Sequence, residues 1–219
     1  MKVRLIGYTQ PSGIIGIDDV QDLISYAARV SNPSNQMNNE TSERLLNYLI
    51  REKHWSPFEM ASATMEVETT RDIARQFLRH RSFSFQEFSQ RYANPQDMDN
   101  AFVLRDARLQ DPSNRQNSLP TENTELIHQW DDKQQEVIDK AKEVYDWAIE
   151  NGIAKEQARA VLPEGNTISR LYVNGTIRSW IHYVELRSGH GTQLEHIELA
   201  REIGKAITKI FPMSEQFIN

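Results

Sequence analysis

The sequence predicts an α+β fold with a small mixed or antiparallel sheet and long helices. Apolar residues alternate in short segments, at residues 2–8 and 61–69, which is typical of strands. Longer segments carry apolar residues at helical spacing, above all residues 121–151. The length of 219 residues suffices for one sizeable domain or a compact two-lobed one, and we expect a single domain spanning residues 1–219.

The first half of the chain contains two predicted strands and three predicted helices. Residues 2–8 form the first strand, and residues 18–31 form an amphipathic helix. That helix ends at the Asn-Pro-Ser-Asn sequence of residues 32–35. A second helix covers residues 41–53, and the strand at 61–69 leads into an arginine-rich helix.

Residues 94–120 predict a long mobile connection, because they are rich in Asn, Asp, Gln, Pro and Ser. An apolar island at residues 101–104 predicts a short strand inside it. Connections of this length are often functional lids, and plain surface disorder is an equally good interpretation of the composition.

The rest of the chain is predicted to be mainly helical. Residues 121–151 form the longest helix, which ends at an Asn-Gly pair. The remaining segments predict, in order, a short helix at 155–161, a short strand at 167–173, a helix at 175–187 and a last helix at 195–211.

The composition excludes several classes of protein. Charged residues make up 26% of the chain and hydrophobic residues 38%, which indicates a soluble, rather polar protein. No apolar run approaches the about 18 residues of a membrane span, and no signal-peptide core is visible, so we expect a cytoplasmic location. The chain has no cysteine, which excludes a thiol protease, a CxxC redox protein and a cysteine-ligated zinc site. We predict no bound metal.

The chemistry is concentrated in residues 70–92. Five arginines and one histidine stand there against two acids, in a chain of net charge −6, which indicates one defined anionic ligand. The first part predicts a helix capped by Thr70. Gln76, Arg79 and His80 lie three and four residues apart, so an amide, a guanidinium and an imidazole emerge together. The second part predicts an ordered loop or short strand. The alternative interpretation is a buried helix end with solvated arginines.

Two motifs resemble those of the flavin-dependent thymidylate synthases. Arg-His-Arg at residues 79–81, followed after seven residues by Ser89, matches the RHR-x7-S motif of that family. The likeness extends to Glu87 and to the Arg-Tyr pair at residues 91–92, and the segment RSWIHYVELR at residues 178–187 is a second strong likeness. The resemblance implies that family's fold, a homotetramer with shared sites, and an enzyme that converts dUMP to dTMP.

The resemblance also implies FAD as the bound cofactor, with NADPH as its reductant and 5,10-methylenetetrahydrofolate as the methylene donor. A His-x-x-Pro-Phe-Glu element that begins at His54 is similar to one that lies against the flavin in the family. The residues expected to bind the cofactor by this likeness are Ser56, Glu59, Arg79, His80, Arg81, Glu87, Thr176, Arg178 and His182.

The chain departs from the family pattern near this second motif. Many members of the family carry Asn at the positions of Thr176 and His182. The family often has a histidine four residues after the arginine at the position of Arg187, whereas His190 comes one place earlier.

The substrate implied by the resemblance is dUMP, and no nucleic acid polymer is expected as a partner. The arginine at the position of Arg159 reaches the nucleotide in a neighbouring subunit's site in the family. A phosphate suits arginine, which offers a bidentate fork of donors. We assign Ser89 to binding, because no His-Asp pair is spaced to activate it as a nucleophile. The expected substrate contacts are Gln76, Arg79, Glu87, Phe88, Ser89, Gln90, Arg91, Arg159 and Arg187.

Arg187 is the predicted catalytic residue. Classical thymidylate synthases attack the pyrimidine ring with a cysteine thiolate, which this chain lacks. A guanidinium beside the N3, O2 and O4 edge of uracil favours the N3-deprotonated ring and stabilises negative charge that develops during the reaction. The resemblance implies this role for Arg187.

Two other interpretations are compatible with parts of the sequence. A nucleotide- or RNA-binding protein could stack bases on the Phe residues of the segment 79–92. The net negative charge and the absence of lysine between Lys53 and Lys133 disfavour it. A protein of the same family that has lost activity is the other, given the departures at Thr176 and His190, and turnover would test it.

Overall fold

The computed structural model describes residues 1–13, 15–189 and 191–218. Within these ranges the strands are β1 Lys2–Tyr8, β2 Ser62–Thr70, β3 Phe83–Glu87, β4 Arg108–Gln110, β5 Ser118–Pro120 and β6 Ile168–Thr176. The α-helices are α1 Val20–Ala28, α2 Ser42–Arg51, α3 Arg71–Phe77, α4 Thr124–Glu150, α5 Lys155–Ala158, α6 Ile177–Arg187 and α7 Leu194–Thr208. The predicted α+β class is confirmed.

The main sheet has the order β1-β2-β6-β3, and all its neighbouring strands are antiparallel. One face of the sheet packs against α6 and α7 over a core whose largest fully buried side chains include Trp180, Tyr183 and Phe77. The indole of Trp180 donates to the Ala63 carbonyl at 3.1 Å, which ties α6 to β2.

The middle strand β2 also carries two buried acids, Glu66 and Glu68. Neighbouring strands supply their partners: Arg4 Nε donates to Glu66 at 2.8 Å and Arg170 Nε donates to Glu68 at 2.8 Å. Buried carboxylates need such partners, because an unpaired charge away from water is strongly unfavourable. The pairs therefore fix the order of the strands around β2.

The junction of β3 and β6 requires a glycine. Phe83 pairs with Gly175, and a Cβ placed on Gly175 would lie 2.3 Å from the Phe83 ring. Any side chain at residue 175 would therefore displace the Phe83 ring at the start of β3.

The predicted elements of the first half are largely found. The strand at residues 2–8 is observed with the predicted bounds, and the helix predicted at 18–31 is the shorter α1. The side chain of Asp19 accepts from the backbone N–H of Asp22 at 2.8 Å and so begins α1. Thr70 is the residue before α3, but its hydroxyl donates to the Asp72 carboxylate at 2.5 Å and does not cap a helix N–H.

The strand predicted at residues 101–104 is wrong. Only Phe102 bridges to Thr167 there, and strands form instead at β4 and β5, which pair as a hairpin. Arg105 diverts the chain after the bridge, since its Nε donates to the Gly165 carbonyl at 2.9 Å and its backbone N–H to Gln134 at 2.8 Å. Part of the 94–120 connection is thus held against α4 and the segment before β6.

Across the residues that the structure describes, no helix is both long and apolar enough to cross a membrane.

Candidate active site

The Arg-His-Arg turn at residues 79–82 lies along α6. Helix α3 ends at Phe77, and the chain turns through these residues before it enters β3. The hydroxyl of Ser179, in the first turn of α6, donates to the Ser82 carbonyl at 3.2 Å. At the other end of α6, Arg187 reaches back to His80. The two motifs of the sequence therefore meet along the length of one helix.

The contact between Arg187 and His80 defines the protonation of the imidazole. Arg187 Nε donates to His80 Nε2 at 2.9 Å, so this ring nitrogen carries no proton. The half-buried ring packs edge-on against Tyr183, with 5.0 Å between ring centroids. Burial, and then the charges of Arg187 and Arg79, lower the pKa of His80 from 6.5 to about 4. His80 is therefore neutral at physiological pH.

Arg187 consequently keeps its full positive charge. Among the described residues, no carboxylate lies within ion-pair distance of its guanidinium. A neutral imidazole orients the group through Nε without cancelling its charge, and the terminal nitrogens remain donors. This arrangement suits the stabilisation of an anionic ring.

Gln76 belongs to a polar chain that links α3 to α7. Its amide nitrogen donates to Gln193 Oε1 at 2.8 Å, and its carbonyl oxygen lies 3.1 Å from His196 Nδ1. His196 is fully buried, and its Nε2 lies 3.1 Å from the hydroxyl of Tyr183. Gln193 donates in turn to Glu195 at 3.0 Å.

Arg79 and Arg81 lie exposed on the turn. In the part of the chain that the structure describes, neither has a carboxylate within ion-pair distance. Their guanidiniums are therefore available to an external anion.

The residues predicted to hold the flavin at the start of α6 come together. Arg178 forms an ion pair with Glu59, which ends the 3-10 turn Ser56–Glu59, and the exposed Ser56 begins that turn. His182, one turn along α6, packs edge-on against Trp55 with 4.6 Å between ring centroids. Burial, and then Arg178, lower the pKa of His182.

The departure at Thr176 has a local explanation. Thr176 caps α6, since its hydroxyl accepts from the backbone N–H of Ser179 at 3.2 Å. Asn is an equally suitable residue at a helix N-cap, so either side chain can begin this helix. His190, a further departure, lies outside the described residues.

A basic cavity of about 370 Å³ opens at the far end of β3. Arg71, Arg75 and Arg159 line it and outnumber its two carboxylates, Glu156 and Glu164. Burial lowers the pKa of Arg71, although Glu87 opposes that shift. Three guanidiniums around one cavity favour an anionic ligand.

Gln90 is buried in the wall of this arginine cavity, with 3% of its surface exposed. Its amide nitrogen has no hydrogen-bond partner within the described ranges. A buried donor without an acceptor costs about 1–3 kcal/mol, so a ligand that accepts from it would be stabilised here.

The remaining predicted substrate residues flank the arginine cavity. Glu87 accepts from Ser169 at 2.9 Å and lies 3.4 Å from Arg71, so at least one carboxylate oxygen faces this side. The Ser89 hydroxyl accepts from the backbone N–H of Arg91 at 3.4 Å, and the Arg91 guanidinium pairs with Glu156 at 3.3 Å. Phe88 continues the pairing of β3, its N–H donating to the Arg170 carbonyl at 2.8 Å.

The predicted site residues thus form three groups in one chain: the Gln76–His80–Arg187 group, the group at the start of α6, and the arginine cavity. Sequence reasoning missed Tyr183 and His196, which lie inside the first group. A signal was available, because His196 shares a helix face with the apolar residues Leu199 and Ile203. A histidine on a buried face needs hydrogen-bond partners.

No group of three His, Asp or Glu side chains is placed to hold a metal ion in the part of the chain described.

Known proteins are similar to this chain over nearly its whole length. Residues 5–213 match a family described as thymidylate synthase complementing protein. A protein of Paramecium bursaria Chlorella virus 1, named probable flavin-dependent thymidylate synthase, is 50% identical over 212 residues, covering 97% of this chain and 96% of the relative. The flavin-dependent thymidylate synthase of Synechocystis is 45% identical over 214 residues, with the same coverage.

A solved structure has a similar fold. The UMP/dUMP methylase PolB from Streptomyces cacaoi, bound with 5-Br dUMP, superposes with a TM-score of 0.83 at 27% identity. The match covers 99% of this chain and 93% of that chain.

Proposed function

This chain belongs to the flavin-dependent thymidylate synthase family, and we propose on that premise that Arg187 is the residue with which it methylates dUMP to dTMP. The reaction is a reductive methylation with 5,10-methylenetetrahydrofolate, without a cysteine nucleophile. The observation that carries the role of Arg187 is its pairing with a neutral His80 in place of a carboxylate.

Arg187 supplies a positive charge beside the pyrimidine. A cation within hydrogen-bond distance of the N3, O2 and O4 edge lowers the pKa of N3–H and raises electron density at C5. The charge is held before substrate binds, since the hydrogen bond from Nε to His80 fixes the guanidinium. Such preorganisation stabilises an anionic transition state without a cost of reorientation.

The residues at the start of α6 fit a flavin. Arg178 and Glu59 are both partly exposed, with 41% and 42% of their side chains accessible, so polar groups of a ligand can reach them. The edge-on contact of His182 with Trp55 offers an aromatic wall. Ser56, Thr176 and the turn at residues 79–81 complete the proposed FAD-binding group. When bound, reduced FAD supplies the hydride, and NADPH is the expected reductant.

The arginine cavity is the proposed site of the nucleotide phosphate. Arg159, Ser89 and the unpartnered amide of Gln90 are donors that suit phosphate oxygens. We propose that the chain is a single domain, residues 1–219, and assembles as a homotetramer in which Arg159 serves a neighbouring subunit's nucleotide. We also propose a cytoplasmic location.

An anaerobic turnover experiment tests the function. Purified protein loaded with FAD is reduced with dithionite and then mixed with dUMP and 5,10-methylenetetrahydrofolate. We expect the oxidised flavin absorbance to return as dTMP forms in equal amount. A preparation that binds neither FAD nor dUMP would contradict the proposal and would favour the RNA-binding interpretation. One that binds both without turnover would favour the inactive relative.

A further inference from the structure

His196 occupies a buried position between two elements of the candidate active site. It lies in the first turn of α7, and its ring is wholly removed from solvent. One ring nitrogen contacts Gln76 and the other contacts Tyr183, each at 3.1 Å. The ring of His80, which holds Arg187, is 6.4 Å away between centroids.

Glu195 determines which group donates and which accepts in each hydrogen bond of the polar series that links Tyr183 to Glu195 through His196. A carboxylate can only accept, so Gln193 must donate to it through its amide nitrogen. The carbonyl of Gln193 is then the acceptor for the amide nitrogen of Gln76. The carbonyl of Gln76 must therefore accept from His196 Nδ1, which leaves Nε2 to accept from the Tyr183 hydroxyl.

Glu195 is held as a carboxylate. Burial alone would raise its pKa, but its own backbone N–H, the charge of Arg105 and a hydrogen bond from Arg108 lower the pKa below its usual value. Arg105 lies 3.2 Å from Glu195, and Arg108 begins β4. The hairpin β4–β5 thus holds Glu195, the last member of the series of hydrogen bonds that starts at Tyr183.

The groups around His196 keep it neutral. Burial, followed by the charges of Arg187 and His80, lowers the pKa of His196 to about 3. Burial also raises the pKa of Tyr183, so its hydroxyl keeps the proton that it donates. The donors and acceptors in this polar series therefore stay the same across the physiological pH range.

We propose that His196 is a positioning residue for nucleotide binding, which fixes the amide of Gln76 so that its second N–H and second carbonyl lone pair face the substrate. One N–H and one lone pair of Gln76 are used within the protein, and those remaining are available because Gln76 is only partly buried. This inference rests on the proposed function. It adds to that function a residue outside both motifs.

Two substitutions of His196 separate positioning from packing. His196→Asn keeps a donor near the place of Nδ1, whereas His196→Leu removes the donor and fills much of the same space. We expect His196→Leu to bind dUMP about tenfold more weakly than the unsubstituted protein, and His196→Asn to lose less than about threefold. Titration calorimetry with dUMP on FAD-loaded protein, well below the melting temperature of each variant, measures this.

A matched pair of tyrosine substitutions tests the other end of the chain. Tyr183→Phe and Tyr145→Phe each remove one buried phenolic oxygen, but within the described residues the Tyr145 hydroxyl has no hydrogen-bond partner. We expect Tyr183→Phe to weaken dUMP binding about threefold, because Nε2 of the buried His196 then lacks a donor and the ring is held only through Nδ1, and Tyr145→Phe to leave it unchanged.

Equal dUMP affinity in the Leu and Asn variants would overturn the positioning role, and so would equal effects of the two tyrosine substitutions. An unsubstituted protein that makes dTMP alongside such a result would leave the proposed function intact. A protein that does not bind dUMP at all would contradict the proposed function itself.

Discussion

The polar chain around Gln76 and the arginine cavity at Gln90 lie on either side of the same motif, yet they are built differently. In the first, donors and acceptors pair within the fold, and both histidines are neutral. In the second, three guanidiniums face two carboxylates, and the buried Gln90 amide lacks an acceptor among the described residues.

In the first region most hydrogen bonds form when the chain folds, whereas in the second a donor finds its acceptor only when a ligand binds. A network held by hydrogen bonds at several points is rigid, and it can present the remaining donors and acceptor of Gln76 and Arg187 in one orientation before substrate arrives. The buried Gln90 amide carries an energetic cost until a ligand accepts from it, and that cost is recovered on binding. We therefore expect loss of the Arg187 charge to affect catalysis, and substitutions in the arginine cavity or in the residues that position Gln76 to affect affinity.

The largest effect is expected for Arg187→Ala, which removes the preorganised charge. We expect kcat to fall about 10²–10³-fold, because the variant loses a donor that acts on the developing anion. The ratio of FAD absorbance to protein should stay near that of the unsubstituted enzyme. Arg115→Ala, in the exposed turn between β4 and β5, is the matched control and should change neither quantity. A variant that loses FAD yet turns over normally at saturating FAD would reverse the assignment.

A smaller effect, on affinity, is expected for Arg159→Ala. Loss of a charge-assisted hydrogen bond of about 1.5–3 kcal/mol should weaken dUMP binding about 10–100-fold and leave deoxyuridine, which has no phosphate, unaffected. Calorimetric titration with both ligands measures the difference. Lys155→Ala is the control, since Lys155 donates to the Tyr92 carbonyl and does not line the cavity. Equal weakening for dUMP and deoxyuridine would show that the phosphate does not bind in this cavity.

Ser89→Ala tests whether Ser89, which flanks the arginine cavity, acts as a nucleophile. We expect turnover to fall by no more than about tenfold, because a hydroxyl that only binds phosphate contributes about 1 kcal/mol. The measurement is the initial rate of dTMP formation at saturating dUMP. Complete loss of turnover with dUMP binding intact would instead indicate covalent attack by the serine.

The smallest effect is expected in the pH dependence of stability. The pKa values of His80 and His196 are about 4 and about 3 when folded, against 6.5 for an ordinary histidine. Below pH 6.5 the unfolded chain therefore binds protons that the folded chain does not, and the free energy of unfolding falls as the pH falls. This stabilisation is present above pH 6.5 and is lost toward pH 4.

His196→Asn removes one of the two histidines whose lowered pKa causes this pH dependence. Between pH 7.5 and pH 5 we expect its melting temperature to fall by about 2–4 °C less than that of the unsubstituted protein. Thermal melts followed by circular dichroism would measure this. Identical slopes for the two proteins would mean that His196 takes up protons equally in the folded and unfolded chains.

Local sequence features predicted what depends on neighbouring residues. The alternation of residues 2–8 matched β1, and the two motifs gave Arg79, His80 and Arg187 as candidate site residues. Periodicity could not show that Arg187 meets His80, since they are 107 positions apart and depend on how α6 packs beside β3. The hairpin β4–β5 was missed because its three-residue strands are too short to show alternation.

The close approach of Phe83 to Gly175 bears on how this protein can be re-engineered. The exposed Arg79 and Arg81 can accept many side chains without disturbing the core, but both belong to the proposed FAD-binding group, so libraries that vary them should be screened for FAD retention as well as for activity on new nucleotides. Residue 175 should be kept out of such libraries, because even an alanine methyl would meet the Phe83 ring at 2.3 Å. A position that is constrained by packing alone, with no charged or polar side chain, thus limits which variants of this protein can fold.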